Sequence, residues 1–195
     1  MTTQVNSRPA LSRTPVVIVL ASGRGERFIA AGGTGSKLQA LLAGRPVLER
    51  TLDAVRASGL PWHVEDAGHP GMGDSIAAAV RATSGAAGWL ILPGDLPLVQ
   101  PATLRAVAAA LGGRVNAVQP QFQGERGHPV GFAAGCGAQL ATLEGNLGAS
   151  PVLRAMRAID SVADLAVDDA GVVTDIDTPE ALARAEALWL ARAAA

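Results

Sequence analysis

The stretch Val16-Val-Ile-Val-Leu20, followed directly by Ala21-Ser-Gly-Arg-Gly-Glu-Arg27, decides the fold of this chain. An unbroken apolar run rich in β-branched residues is typical of a strand that is covered on both faces in a parallel sheet. The glycine-rich segment that follows predicts a long loop, to about Gly44, at the carboxyl end of this strand. Ligands of open α/β sheets bind at that end of the strands. The stretch therefore predicts both a fold class and the position of a binding site.

The rest of the chain alternates strands with helices. Apolar runs predict further strands at residues 62–65, 89–92, 115–118 and 162–167. Helices are predicted to begin near Pro46, Asp74 or Ser75, Pro101, Gly137, Pro151 and Thr178. Glycines and prolines in residues 119–134 indicate an irregular excursion with an antiparallel edge strand. The pattern predicts an α/β protein: a three-layer α/β/α sandwich around a mostly parallel sheet.

The composition describes one globular domain without a nucleic-acid or membrane surface. The chain has 195 residues, 49% apolar and 17% charged, which is enough to bury a full core. A net charge of −1 lacks the basic field that nucleic acids and anionic membranes require, and aromatic residues make up only 3%. The longest apolar run near the N-terminus, residues 16–21, is too short to span a bilayer. We expect a disordered tail at residues 1–14 and a single domain at residues 15–195.

The chain contains one cysteine, Cys136, which cannot form an intramolecular disulfide. This predicts a reducing, cytoplasmic setting. No Cys-His signature surrounds the thiol, so we expect a structural residue rather than a nucleophile.

The loop at residues 21–37 combines the features of a phosphate-binding segment. Its glycines let backbone N–H groups approach an oxyanion, and Arg24, Arg27 and Lys37 can neutralise a polyphosphate. Two familiar patterns do not fit: Phe28 stands where the dinucleotide-binding pattern needs glycine, and Lys37 is not part of a Gly-Lys-Ser/Thr sequence. We expect the loop to hold a nucleoside triphosphate; a solvated surface loop is the alternative.

Carboxylates in two later segments can hold a metal ion. Asp95 follows a predicted buried strand, and magnesium takes one or two carboxylates together with substrate phosphates. In Asp175-Ile-Asp177, the alternation of an extended segment puts both carboxylates on one face, so either can be a second ligand. The alternatives are a turn-capping role for Asp95 and a helix-capping role for either of the other two.

Two further segments carry polar groups. Gly71-Met-Gly-Asp-Ser75 opens a helix, where free N–H groups and a hydroxyl can meet a base or ribose. Ordinary capping by Asp74 or Ser75 is the alternative. His128, in Gly127-His-Pro129, is a lone histidine of the kind that is more often structural, and His63 and His69 show no metal-ligand spacing with it.

Together these motifs resemble the signature segments of the molybdenum-cofactor nucleotidyltransferases. The similarity rests on residues 20–27 with Lys37, 71–75, 94–97, 127–129 and 175–180, in order across the chain from Pro15 onward. It is nearest to the cytidylyltransferase branch, which joins CMP to molybdopterin, rather than to the guanylyltransferases. The resemblance implies a Rossmann-like nucleotidyltransferase fold and a magnesium-dependent attack on the α-phosphate of an NTP, with release of pyrophosphate.

The resemblance also implies roles for individual residues. The nucleotide would be bound by Leu20, Ala21, Ser22, Gly23, Arg24, Lys37, Gly71 and Ser75. Arg27, Lys37 and Asp95 would be catalytic, because the first two would hold the phosphates and Asp95 would hold magnesium together with Asp177. His128 and Asn146 would lie on the acceptor side. The phosphate of the acceptor would be the nucleophile, so no strong protein base is needed.

Three features depart from the family pattern. Ser22 adds a hydroxyl where the base is chosen, residues 29–35 require Lys37 to fold back toward the phosphates, and Asn146 and Ser150 stand where Asp and Arg are common. The resemblance to the cytidylyltransferase branch favours CTP over GTP, and the departure at Ser22 leaves GTP open as the alternative. The acceptor is molybdopterin or another phosphorylated compound, such as a sugar or polyol phosphate. A non-catalytic nucleotide-binding chaperone that serves a molybdoenzyme stays open as a third function.

Overall fold

The computed structural model describes residues 14–23 and 25–194. The predicted tail therefore lies outside the described residues except for Thr14, and so does Arg24, a predicted nucleotide-binding residue. The strands are β1 (Val16–Leu20), β2 (Leu41–Leu42), β3 (Arg45–Pro46), β4 (Trp62–Glu65), β5 (Gly88–Pro93), β6 (Ala117–Phe122), β7 (Glu125–Arg126), β8 (Val130–Ala133) and β9 (Val162–Ala166). The α-helices are α1 (Glu26–Ala30), α2 (Val47–Ser58), α3 (Met72–Ala82), α4 (Pro101–Ala110), α5 (Gly137–Leu140), α6 (Ser150–Ala158) and α7 (Pro179–Ala194).

A mixed sheet forms the middle layer, with β2 and β3 as a separate small hairpin. Its strand order is β4-β1-β5-β8-β6-β7, and β9 pairs with β6. The strands β4, β1 and β5 are parallel to one another, and β9 is parallel to β6. The carboxyl ends of β4, β1 and β5 therefore meet at one edge of the sheet, where the sequence places the site.

The alternation of β1 side chains builds the three layers. Val16 and Ile18 face a core that includes residues of α3, α5 and α6. Val17 and Val19 face the opposite core, which includes residues of α2 and α4. Burial on both faces explains why the whole strand is apolar. The predicted three-layer α/β sandwich is confirmed.

Residues 119–134 hold two antiparallel strands. The strand β7 lies at an edge of the sheet and pairs with β6, as the sequence predicts, whereas β8 lies inside the sheet and pairs with both β5 and β6, which the sequence does not predict. Val130 and Phe132 are buried there, and Gly131 leaves room for helix α4, because a Cβ at this position would lie 2.9 Å from Val107 Cγ1. The glycines and prolines around β8 indicate turns and close packing in this segment, not exposure of the strand.

Several element boundaries also differ from the prediction. Helix α3 begins at Met72 rather than at Asp74 or Ser75, with Gly71 as its extended N-cap residue. Strand β6 extends to Phe122 because β9 pairs along its length, and the short helix α1 inside the predicted loop was not foreseen. At α7 the predicted cap is present: the Ala181 N–H donates to Thr178 Oγ1 over 3.1 Å.

None of the helices in the described chain is long and apolar enough to cross a membrane.

Candidate functional site

The carboxyl ends of β1 and β5 are joined directly by the backbone. The Gly94 N–H donates to the Leu20 carbonyl over 2.9 Å. A Cβ at Gly94 would lie 2.9 Å from that carbonyl oxygen and 3.0 Å from Leu48 Cδ1, so this approach requires glycine. The backbone carbonyl of the next residue, Asp95, accepts the Ile176 N–H over 3.0 Å. Residues 175–177 are thereby fixed beside the ends of the two strands.

Four charged side chains form a cluster at this edge, which we call the carboxylate cluster: Arg27, Lys37, Asp95 and Asp177. Lys37 Nζ lies 2.5 Å from Asp95 Oδ2 and 2.6 Å from Asp177 Oδ1. Arg27 Nη1 lies 2.7 Å from the other oxygen of Asp177, Oδ2. The structure thus brings together the four residues that the sequence predicts to hold phosphates and metal.

Mutual attraction keeps the buried members of the cluster charged. Burial opposes the charge of Lys37, but the nearby carboxylates of Asp95 and Asp177 outweigh it and raise the lysine pKa. Burial likewise opposes ionisation of Asp177, but Lys37 and Arg27 outweigh it and lower the pKa of that carboxyl. At neutral pH both groups are therefore ionised, as a site for phosphates and metal requires.

The Asp95 carboxylate has one oxygen with no protein partner. Asp95 is only 8% exposed, and its Oδ1 is buried with no hydrogen-bond partner among the described residues. A buried oxygen without a partner costs free energy, so such atoms in native proteins call for an explanation. Two carboxylates, one of them with a free oxygen, suit magnesium, which completes its shell with phosphate oxygens and water.

Asp177, and not Asp175, belongs to this cluster. Among the described residues Asp175 has no ion-pair partner, although its charge acts on Arg27. Thr178 supplies the oxygen that caps α7, so helix capping does not account for Asp177. The geometry separates the two aspartates that the sequence left as alternatives.

Lys37 reaches the carboxylates because the loop folds back on an aromatic anchor. Phe28 is buried in a small third core with Leu42, Val47, Leu98 and Ile176. The extra segment at residues 29–35 turns over the Phe28 ring, where Gly33 packs so closely that a Cβ would overlap the ring. The residue that breaks the dinucleotide-binding pattern is therefore the one that anchors the loop.

A pair of serine hydroxyls joins the loop to helix α3. Ser22 Oγ lies 3.1 Å from Ser75 Oγ, and Ser75 Oγ also donates to the Gly71 carbonyl over 3.2 Å. Neither Ser75 nor Asp74 caps the helix, because Asp74 accepts the Gly145 N–H over 2.9 Å instead. The first loop and the start of α3 thus face one another.

The other predicted nucleotide-binding positions lie beside this pair. The Ala21 N–H donates to the Glu65 carbonyl over 2.9 Å, and Gly23 is exposed with open space around its Cα. Gly71 packs against the backbone of Gly145, so closely that a Cβ would overlap it. The loop that carries Asn146 therefore borders the start of α3, and Asn146 itself is exposed.

His128 lies on the other side of the site. Its backbone N–H donates to the Val172 carbonyl over 2.9 Å, at the turn into β8. Burial lowers the pKa of its imidazole, against the opposing charges of Asp95 and Asp175, so the ring is neutral at pH 7. The structure thus places the two predicted acceptor-side residues apart, His128 near the carboxylates and Asn146 beside α3.

Sequence reasoning missed a histidine–carboxylate group next to the first loop. Glu65 is buried at the end of β4; His69 Nε2 lies 3.2 Å from its Oε1, and His63 Nε2 lies 3.6 Å from its Oε2. The alternation of a strand, which puts residues 63 and 65 on one face, is the signal that could have revealed it. Within the described residues, no three His, Cys, Asp or Glu side chains form a group that could hold a metal ion.

Comparisons with known proteins give the family and the fold. The sequence model of the family named MobA-like NTP transferase domain matches residues 53–162, more than half of the chain. Over 69 residues the chain is 42% identical to the 2-C-methyl-D-erythritol 4-phosphate cytidylyltransferase of Frankia casuarinae. That match covers 35% of the chain and only 25% of the Frankia enzyme, so the chain spans about a quarter of this curated relative's length.

Two solved structures show the same fold over most of the chain. A nucleotidyl transferase from Methanothermobacter superposes with a TM-score of 0.74 at 22% identity and covers 92% of this chain and 99% of its own. The Rv0371c protein of Mycobacterium tuberculosis, in complex with manganese, superposes with a TM-score of 0.65 at 24% identity over 88% and 96% of the two chains. These likenesses confirm the predicted fold class, and the family match confirms the predicted enzyme class.

Proposed function

The chain belongs to the MobA-like NTP transferase domain family, and on that premise we propose that it transfers CMP from CTP to molybdopterin. A phosphate oxygen of the acceptor attacks the α-phosphorus of CTP. The bond from this phosphorus to the bridging oxygen breaks, and pyrophosphate leaves with the electron pair. No proton has to be removed from an ionised phosphate, so the reaction depends on positioning and charge neutralisation.

The carboxylate cluster is the observation that carries this proposal. Arg27 and Lys37 supply the positive charge for a triphosphate, at the end of a loop whose glycines leave the backbone accessible. Asp95 and Asp177 supply the carboxylates for magnesium, and the partnerless Oδ1 of Asp95 gives such an ion an oxygen ligand. The related fold of Rv0371c, which was solved with manganese, supports a divalent ion in this chain as well.

Each residue of the cluster has a separate task in this scheme. Asp95 and Asp177 hold the ion, which when bound neutralises charge on the phosphate oxygens at the reacting phosphorus. Lys37 and Arg27 hold the β- and γ-phosphates and stabilise the negative charge of the departing pyrophosphate. His128, neutral at pH 7, can donate a hydrogen bond to the substrate that receives CMP without adding charge to the site.

The base is assigned to the space between the first loop and helix α3. The backbone of residues 20–23 and the hydroxyls of Ser22 and Ser75 face each other there, beside the exposed Gly23. We place CTP ahead of GTP on the motif resemblance, and the cytidylyltransferase relative supports this order.

A pyrophosphate-release assay tests the proposal. CTP, GTP, UTP and ATP are each offered with magnesium, with and without molybdopterin, and we expect release with CTP only when the acceptor is present. Competition among the nucleotides in a thermal-shift assay ranks the donors, since a ligand that binds the native state alone raises its melting temperature. No release with any NTP, across molybdopterin and a panel of phosphorylated acceptors, would contradict the function.

A polyol phosphate is the second candidate for the acceptor. The cytidylyltransferase relative is named for 2-C-methyl-D-erythritol 4-phosphate, and Asn146 and Ser150 stand where the molybdopterin-specific pattern commonly carries Asp and Arg. The same assay separates the two acceptors: release with 2-C-methyl-D-erythritol 4-phosphate and none with molybdopterin would select the second.

A further inference from the structure

Lys37 occupies the position between the two carboxylates that the proposed function assigns to a divalent ion. Its Nζ lies 2.5 Å from Asp95 Oδ2 and 2.6 Å from Asp177 Oδ1. Magnesium binds carboxylate oxygens at about 2.0–2.1 Å, so an ion that takes these two oxygens in addition to the partnerless Asp95 Oδ1 would fill the same space. The ammonium group and the ion therefore exclude one another there.

The charges of the cluster are balanced as the structure stands. Two carboxylates, Asp95 and Asp177, face two cations, Lys37 and Arg27, and the formal charges cancel. A divalent ion that entered alone would add two positive charges next to an ammonium that is itself largely buried. Repulsion at such distances is strong where water is largely excluded, so the carboxylates accept an ion only if Lys37 leaves.

A triphosphate provides the place to which Lys37 can move. Lysine has a flexible four-carbon stem, so the ammonium can swing while the backbone stays in place. The backbone near Lys37 is held: the Gln39 N–H donates to the Ser36 carbonyl over 3.0 Å, and the Leu38 side chain is buried. Gly25, in the predicted phosphate loop, passes beside Lys37, where a Cβ would lie 3.5 Å from the backbone N and 3.6 Å from Cγ of the lysine. Phosphates bound along this loop would therefore lie within reach of the swinging ammonium.

We infer that Lys37 is an exchangeable counter-ion, which the triphosphate draws away from Asp95 and Asp177 so that nucleotide and divalent ion bind as a pair. This inference rests on the proposed function, because it needs a triphosphate in the loop. Its consequence is thermodynamic coupling. The nucleotide strengthens binding of the ion, and the ion strengthens binding of the nucleotide by the same factor. The free protein has low affinity for the ion because its own lysine competes for the carboxylates.

Manganese binding without turnover tests this inference. Free Mn²⁺ is followed by electron paramagnetic resonance during titration of the full chain, with and without the non-reactive analogue α,β-methylene-CTP. We expect the analogue to tighten Mn²⁺ binding by about tenfold or more, within the usual range of coupling between two sites. Lys37→Met should bind Mn²⁺ without the analogue about tenfold more tightly than the unaltered protein, and the analogue should add little.

Arg27→Met is the matched control. Arg27 also pairs with Asp177, but its side chain is 84% exposed, and Asp177 is its only ion-pair partner among the described residues. In titrations without the analogue, where no phosphate is present for Arg27 to hold, removing it should change Mn²⁺ affinity by less than about threefold, as expected for an exposed pair. Circular dichroism and thermal melting verify that both variants are folded. If Lys37→Met does not fold, the coupling in the unaltered protein still decides the question.

Two results would overturn the inference: Mn²⁺ affinity that is the same with and without the analogue, or a folded Lys37→Met that binds Mn²⁺ no more tightly than the unaltered protein. Failure of the proposed function is distinguishable from these results. In that case Mn²⁺ and the analogue would bind cooperatively, but no acceptor would yield pyrophosphate.

Discussion

Asp95 and Asp169 are two aspartates that are almost equally buried, 8% and 2% exposed, but satisfied in opposite ways. Asp169 has partners on both oxygens. Its Oδ2 accepts the Gln100 N–H over 2.8 Å and the Thr103 hydroxyl over 2.7 Å, and its Oδ1 accepts the Gly171 N–H over 2.9 Å. Asp95 has an ammonium on one carboxylate oxygen and, in the part of the chain that the structure describes, no partner for the other.

The difference separates a structural carboxylate from one that is available to a ligand. The Gln100 N–H and the Thr103 hydroxyl lie at the start of α4 and cannot move away from Asp169 without unfolding that end of the helix. The Gly171 N–H is likewise a backbone group, and Arg192 Nη2 adds a longer contact of 3.3 Å to Oδ1. Among the described residues, the only partner of the Asp95 carboxylate is the tip of a long, flexible lysine. Burial alone does not distinguish the two; the mobility and completeness of the partners do.

Replacing Asp95 should give the largest functional effect. We expect Asp95→Ala to lower pyrophosphate release by about 100-fold or more, comparable to removal of one group that stabilises transition-state charge. Nucleotide binding in a thermal-shift assay should remain. Asp53→Ala, which removes an exposed partner of Arg45, is the control and should leave both unchanged. Turnover equal to that of the unaltered protein would remove Asp95 from the site, and lost nucleotide binding would assign it a different role.

Replacing Asp169 should lower the stability of the protein and leave its turnover unchanged. Asp169→Ala leaves the Gln100 and Gly171 N–H groups and the Thr103 hydroxyl without their acceptor, which we expect to cost about 2–4 kcal/mol of unfolding free energy. Urea denaturation measures the loss. Turnover per folded molecule should stay within about twofold, because Asp169 does not belong to the carboxylate cluster. A variant that unfolds at the same urea concentration as the unaltered protein would refute the structural role.

The serine pair lies between these two aspartates in how fully its groups are satisfied. The Ser75 hydroxyl contacts both the Gly71 carbonyl and the Ser22 hydroxyl. Ser22→Ala removes one hydroxyl at the proposed base site, and we expect CTP to bind about three- to tenfold more weakly, the usual range for one hydrogen bond. Isothermal titration with CTP and GTP measures this change. Equal affinities before and after the substitution would place the base elsewhere.

Asp164 is a solvent-exposed aspartate that forms ion pairs with Arg157 and Arg126, and its replacement should change stability the least. Hydrogen bonds from Arg157, and less strongly from Arg126, outweigh partial burial and lower its pKa from 3.8 to about 2. Because the folded state holds the proton less tightly than the unfolded state, the stabilisation is present above pH 4 and is lost as the pH falls toward 2. Asp164→Asn should lower stability by less than about 1 kcal/mol near neutral pH, since the pair is solvent-screened.

Thermal unfolding between pH 2 and pH 7 checks this last prediction. The gap in melting temperature between the unaltered protein and Asp164→Asn should close as the pH falls through that interval. A gap that stays constant would show that the charge of Asp164 is not the cause.

The sequence predicts those features that depend on local patterns. The continuous apolar run of β1 predicts a strand covered on both faces, and turn residues after β1 and β5 predict where the loops begin. Because parallel strands end at one edge, the sequence also predicts that Asp95 and the first loop converge. The interior position of β8 could not be predicted, since it depends on packing of Gly131 against a helix distant in sequence.

Features that depend on long-range pairing are less accessible from one sequence. Lys37 and Asp177 are 140 residues apart, and only the folded chain shows that the lysine contacts both aspartates. Two of the partners of Asp169, Gln100 and Thr103, lie 69 and 66 residues away, and Asp169 belongs to no recognisable motif. The spacing of His63 and His69 to His128 indicates no shared site, whereas both histidines lie beside Glu65, which is between them in sequence.

The anchoring of Phe28 has a consequence for how this loop can vary. Because the aromatic ring and Ile176 share the small third core, Asp177 and the start of the loop are attached to the same support. Beyond Gly33, which packs on that ring, residues 34–36 are exposed before the chain returns to Lys37. A fluorescent label at Thr34 should therefore be tolerated. That makes the segment a natural place for divergence among relatives and a convenient attachment point for a reporter.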